Sequence, residues 1–347
     1  MTLASAPAPL RFRSVCRQWR HAARQQWGLL PPALPWLTTS HKCVFVGFPD
    51  GARLSLPVHV HAGSWETYGR WILCRARAGD GVDDGNDHLL LRNPLLSEET
   101  SMVLPSGRIG RVVVCPGGKL VAATGYIDGR HTVAFCRPGA RSWSPAPPCP
   151  EGADQLLDIA LHRGKLYALY DRGTLCAYDL AAAGEPGASV RLCIVGSDRP
   201  KTEAEARFLR LSERERYYLV PSPSRGGRLL LVRSKWGEHL DVFEADDASG
   251  RWSEVTRLAD DEALFVGAHG SKGLQTASRY DGGGVRGNRI YFAGETHSMR
   301  IGMDNPASLG VYDMESKTTS GIGLPRGSFV DDCKPTGAWL FPSTAHL

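Results

Sequence analysis

The sequence lacks most of the signals that would assign a chemistry outright. No apolar run approaches the roughly eighteen residues of a membrane-spanning helix, so neither a membrane span nor a membrane partner is expected. The first ten residues are too short and too proline-rich to hold a secretory signal core. Nine cysteines are scattered from Cys16 to Cys333, no two closer than 13 positions, so no Cys-x-x-Cys module exists. The cysteine count is odd and no Asn-x-Ser/Thr acceptor occurs, which points to free thiols, mostly buried, in the cytoplasm, the nucleus or both. G-x-S-x-G, H-E-x-x-H and P-loop motifs are missing, and no cofactor is expected. Acidic residues are absent before Asp50, while Arg11, Arg13, Arg17, Arg20, Arg24 and Lys42 precede it. The net charge of +5 therefore belongs to this segment; the remainder carries 35 bases against 36 acids. A nucleic-acid partner would leave a basic stripe on the body, and the totals give none.

What is present describes a globular chain rich in turns. Hydrophobic residues make up 42% and charged residues 22%, which excludes wholesale disorder. The 39 glycines and 23 prolines follow no period, which excludes collagen and favours β structure. A chain of 347 residues buries about 75% of its unfolded surface and needs no staples.

The clearest helical pattern lies in residues 10–27. Phe12, Val15, Cys16, Trp19, Ala22 and Ala23 form one apolar stripe, and Arg13, Arg17, Arg20 and Arg24 line the other side. Pro31-Pro32 sets the end of this helix. On pattern alone it is a terminal helix packed on its own domain, a targeting peptide, or a partner-binding helix.

After the linker no helix is expected, and short β-rich runs alternate with turns. Gly-led strands recur at Gly118, Gly164, Gly227 and Gly287. Strand ends that pair an aromatic with an acid recur as Tyr178-Asp179, Phe243-Glu244 and Tyr312-Asp313. Loops closing on tryptophan occur at Trp143 and Trp252. The glycine spacings of 46, 63 and 60 predict irregular units of a β-propeller. Each unit would be a four-stranded blade: an inner strand, a Gly-led strand, an aromatic-acidic strand and an outer tryptophan strand. The fold class is all-β, a propeller of about six blades preceded by a short helix.

Residues 10–23, from Leu10 through Val15-Cys16-Arg17 and Trp19-Arg20 to Ala23, resemble the second half of an F-box. The body resembles the KIB-type, kelch-like propeller of plant F-box proteins. The similarity lies in Pro35-Trp36-Leu37, His88 to Pro105 with Asn93-Pro94, residues 132–139, residues 310–314 and the final Trp339-Leu-Phe-Pro-Ser343. It implies residues 1–28 as a partial F-box helix, truncated at its N-terminus, 29–40 as a Pro-rich linker and 41–347 as the propeller. It also implies a non-catalytic substrate-recognition subunit of a SKP-cullin-F-box ubiquitin ligase. The Skp-type adaptor would be held by Leu10, Phe12, Val15, Cys16 and Trp19, and an unidentified protein target by the propeller. The alternatives are a stand-alone interaction propeller and a propeller hydrolase or lyase with convergent carboxylates and histidines in its channel.

Four further features are read as structural. Gly282-x-Gly284-x-x-Gly287 matches the dinucleotide fingerprint but is followed by a strand, so an inter-strand loop is expected. The acidic run 80–87 lacks the ligand spacing of a calcium loop, and no metal is expected there. His59 and His61 would share a strand face without a third ligand. The charge-dense segment 201–216 reads as a solvated insertion carrying a short surface helix, or as a recognition surface.

Overall fold

The computed structural model describes residues 34–39, 44–55, 65–76, 88–93, 102–105, 109–127, 129–149, 155–180, 190–194, 215–235, 239–267, 269–276, 284–293, 309–325, 328 and 335–341. The predicted N-terminal helix, His59, His61, the acidic run and residues 201–214 lie outside them. Among the described residues there is no α-helix, and the strands form six sheets.

Blade 1 combines β1 (Trp36–Thr39), β2 (Val44–Gly47) and β3 (Arg53–Ser55) with the last strand, β25 (Pro335–Leu340). Blade 2 holds β4 (Trp65–Tyr68), β5 (Trp71–Ala76), β6 (His88–Arg92) and β7 (Met102–Pro105). Blade 3 holds β8 (Ile109–Val114), β9 (Val121–Ile127), β10 (Arg130–Cys136) and β11 (Ser144–Pro145). Blade 4 runs through β12 (Leu156–His162), β13 (Lys165–Tyr170), β14 (Leu175–Asp179) and β15 (Val190–Ile194). Blade 5 runs through β16 (Glu215–Ser222), β17 (Arg228–Lys235), β18 (His239–Asp246) and β19 (Arg251–Glu254). Blade 6 comprises β20 (Glu262–Gly267), β21 (Lys272–Gln275), β22 (Arg289–Ala293), β23 (Leu309–Asp313) and β24 (Thr318–Gly321). The innermost strands touch their neighbours in ring order, from β25 through β4, β8, β12 and β16 to β20 and β21 and back.

The core is divided among the blade interfaces, one apolar cluster for each of the six. This explains why β13 reads as a nearly continuous apolar run. Leu166, Ala168 and Tyr170 face blade 3, while Tyr167 and Leu169 face blade 5. With both faces buried, alternation of polar and apolar residues disappears. The turn before β13 needs positive φ at Arg163 and Gly164, at 47° and 75°, the geometry of a tight hairpin. The expected blade grammar holds in blades 4 and 5, where Gly164 and Gly227 lead second strands, Tyr178-Asp179 and Phe243-Glu244 lie on third strands, and Trp252 lies on the outer strand of blade 5. In blade 6 the added strand moves Gly287 and Tyr312-Asp313 one place outward, and Trp143 falls just before β11.

Two expectations are corrected. Trp36–Thr39, placed by sequence in the linker, is the second strand of blade 1, and all four of its residues are buried. Closure of the ring on β25 recruits it, through pairs such as Leu37 with Trp339. Blade 6 has five strands rather than four, because β20 turns back into β21 and then pairs in parallel with β22. As expected, a strand and not a helix follows the glycine-rich run: residues 284–288 lead straight into β22. A Cβ at Gly284 would strike Pro49, and one at Gly287 would strike the Asp260 carbonyl. Close backbone approach explains these two glycines.

Candidate functional site

The inner strands enclose a cavity of about 360 Å³ on the central axis. Its walls come from five of the inner strands and from the turns that follow β4 and β20. Propeller sequences encode such a channel poorly, because each blade contributes only a few residues to it.

Arg111 is its centre. A register shift between Ile109 and Val112 marks a bulge in β8, and the Arg111 amide donates to Thr124 Oγ1 at 2.9 Å. A second shift, between Leu156 and Asp158, marks a bulge in β12. Bulges re-aim side chains, and here they point a guanidinium and a carboxylate at one another. Arg111 Nη1 pairs with Asp158 Oδ1. Asp158 is fully buried and also accepts the amides of Ile159 and Leu219, each at 2.7 Å. Arg111 Nη2 donates to the Gly267 carbonyl at 3.2 Å and to Ser271 Oγ at 3.4 Å. One ion pair thus joins blades 3, 4, 5 and 6. Burial pushes the Arg111 pKa down to about 10, still far above neutrality, so it stays charged.

The turn after β4 meets the turn after β20 at the cavity mouth. Tyr68 donates to Glu66 and lies edge-on to His269, with ring centroids 5.3 Å apart. The Phe341 amide donates to the Gly69 carbonyl at 2.7 Å, fastening the end of β25 to this turn. Arg70 sits over the Trp71 ring, 5.6 Å from its centroid. Burial lowers the pKa of Arg70, His269 and Lys272, and the charge of Arg70 lowers that of Lys272 further. Burial also raises that of Tyr68, with the charge of Glu66 acting in the same sense. The lining includes Arg70, Arg111, His269 and Lys272, and no carboxylate among the described residues.

Residues 42–313 match the family described as the KIB1-4 beta-propeller. The chain belongs to the KIB1-4 β-propeller family. The match spans most of the ring, from β2 to β23, and this propeller's closing strand β25 lies beyond it. No curated protein matches the chain. Among solved structures, TolB from Acinetobacter baumannii is similar at 13% identity and a TM-score of 0.43, over 93% of this chain and 73% of that one. A functionally unknown protein from Desulfotomaculum acetoxidans is similar at 9% identity and a TM-score of 0.41, over 90% of this chain and 100% of that one. A Mycobacterium tuberculosis puromycin-hydrolyzing peptidase is similar at 16% identity and a TM-score of 0.37, over 85% of this chain and 49% of that one. Likeness at this level carries no functional information.

Of the residues singled out from sequence, Leu10, Phe12, Val15, Cys16 and Trp19 lie outside the described residues. Glu215 and Arg216, the end of the charge-dense segment, begin strand β16 rather than a helix. The described cysteines, Cys74, Cys115, Cys136, Cys149, Cys176 and Cys193, are all free and buried, as the sequence suggested. Among the described residues no cluster of His, Cys, Asp and Glu fits a metal ion. None of their helices is long and apolar enough to cross a membrane. The channel residues Arg111, Asp158, Arg70 and Lys272 were missed from sequence. A carboxylate inside the apolar run Leu156-Leu-Asp-Ile-Ala-Leu161 was the available signal, since a buried charge demands a partner.

Proposed function

We propose that this chain is a non-catalytic recognition subunit that recruits a protein target to a SKP-cullin-F-box ubiquitin ligase. The observation that carries the reading is the run 10–23, whose Val15-Cys16-Arg17 and Trp19-Arg20 resemble the closing half of an F-box. That run stands ahead of a six-bladed propeller of the KIB1-4 family. A rigid ring presenting loops at its rims suits protein recognition. In this reading Leu10, Phe12, Val15, Cys16 and Trp19 contact a Skp-type adaptor, and the protein works in the cytoplasm or nucleus.

The test is capture by purified Skp-type adaptor of the chain and of its Trp19→Ala variant. A chain with a complete F-box N-terminus grafted before Leu10 runs beside them. Capture of the chain, weakened about tenfold or more by Trp19→Ala as for a buried aromatic anchor, supports the reading. Capture of the graft alone, or none at all, overturns it in favour of an interaction propeller without a ligase link.

A further inference from the structure

The network around Arg111 leaves two cations of the cavity mouth unused. Lys272 opens β21, the extra strand of blade 6, and Arg70 occupies the turn between β4 and β5. Neither side chain makes an ion pair or hydrogen bond among the described residues. Both line the same cavity, and the charge of Arg70 acts on Lys272. Arg111, behind them, is neutralised by Asp158. The lining therefore carries an excess of two positive charges in partly buried positions.

Folded proteins rarely hold two like charges together out of water without a counter-ion. Burial depresses both groups because the charged forms have lost solvent and, among the described residues, gained no counter-charge. An anion placed between them would remove both penalties at once. The site is also built for one in shape. Trp71, 7% exposed, packs under the Arg70 guanidinium and holds it in place, so little ordering is needed on binding. Much of the remaining lining is apolar, with Leu161, Pro221 and Phe341 among its residues. A volume of about 360 Å³ is that of a small-molecule pocket. It is too confined for a nucleic-acid backbone, and its charge is wrong for a metal ion.

We propose that the channel mouth binds a small organic anion. Its carboxylate or phosphate group sits between Lys272 and Arg70, and its apolar body lies against Trp71, Leu161 and Pro221. The strand β21, an addition to the four-stranded blade, carries Lys272 into the lining. This inference is independent of the ligase reading, because it makes no use of residues 10–23.

The experiment uses the full chain in a low-salt Tris chloride buffer, with titration calorimetry and thermal melting. The probes are phenylacetate, phenyl phosphate and the neutral phenylacetamide. At least one anion should bind and raise the melting temperature, while the amide does neither. Whichever anion binds more tightly assigns the head group. Lys272→Met should weaken anion binding at least about tenfold, the worth of a charge-assisted contact. Without ligand the same variant should melt at or above the temperature of the unaltered chain, because it removes a buried like charge; this separates lost binding from lost folding. Arg70→Gln should weaken the anion as well. Amide binding as tight as phenylacetate binding would overturn the proposal, as would an unchanged affinity in Lys272→Met. So would the lack of any melting shift with either anion at about 10 mM, where linkage makes a millimolar site visible.

Discussion

Asp158→Asn is the substitution that most directly tests how the ring is held together. The side chain keeps its shape and loses its charge. Arg111, only 9% exposed at its side chain, then has no counter-ion in the channel among the described residues. One of the two amides now satisfied at 2.7 Å, from Ile159 and Leu219, also meets an Asn NH2 rather than an oxygen. Breaking a buried pair by removing one partner costs about 3–5 kcal/mol. Unfolding entropy of about 2.1 cal/mol/K per residue, over the roughly 300 residues from β1 to β25, amounts to about 0.6 kcal/mol/K. The melting temperature should therefore fall by about 5–8 °C, read by calorimetry. The same change strips Arg111 of its neutraliser and adds a third free positive charge to the cavity. Phenylacetate should consequently bind more tightly while the protein becomes less stable. A double-mutant cycle with Arg111→Met isolates the pair. In the Arg111→Met background the carboxylate lacks its own partner, so Asp158→Asn should cost less than half as much. Equal costs in the two backgrounds would refute the coupling, and a melting shift below about 2 °C would refute the load assigned to the pair.

Three further outcomes follow from the same geometry. Trp339→Ala should cost about 3–5 kcal/mol in urea unfolding, since the ring is fully buried, edge-on to Phe48 and Phe265, and its Nε1 donates to the Val266 carbonyl at 2.9 Å. A cost under about 1 kcal/mol would mean that β25 does not lock the ring. Gly287→Ala should destabilise by about 1–3 kcal/mol, because its Cβ would run into the Asp260 carbonyl; a neutral result would contradict that close approach. The third concerns pH. Burial and the charge of Arg111 lower the folded-state pKa of His269, opposed by Glu66, with Tyr68 packed on its ring. The unfolded chain therefore takes up the proton first, and this contribution to stability is whole above about pH 6.5 and declines as pH falls below it. His162, lowered by burial and Arg163, acts in the same sense. Stability measured from pH 8 to 5 should fall less steeply in His269→Gln than in the unaltered chain, and identical slopes would contradict the assignment.

Recognition of the propeller rested on features that are local in the chain. A hairpin turn needs positive φ, so Gly164 is visible before β13. A third strand ends in an aromatic and an acid because the ring packs between blades while the acid reaches the turn, as Tyr178 and Asp179 do. The strands that escaped notice lacked such marks. Trp36–Thr39 is flanked by prolines upstream, and Lys272–Gln275 has neither alternation nor a β-branched residue.

The sequence by itself determined blades 2 to 5, because each is built from contiguous hairpins whose turns and strand faces are written within about fifty residues. The closing of the ring was decided only in three dimensions, where a strand near the end of the chain takes the innermost place in the first blade. The channel was decided there too. Arg111 meets Asp158 across 47 positions and Gly267 across 156, and Asp158 meets Leu219 across 61. No periodicity links residues so far apart. They become neighbours because six wedge-shaped sheets can bury both faces only by closing into a circle, and the circle leaves their innermost charges facing one another around a common axis.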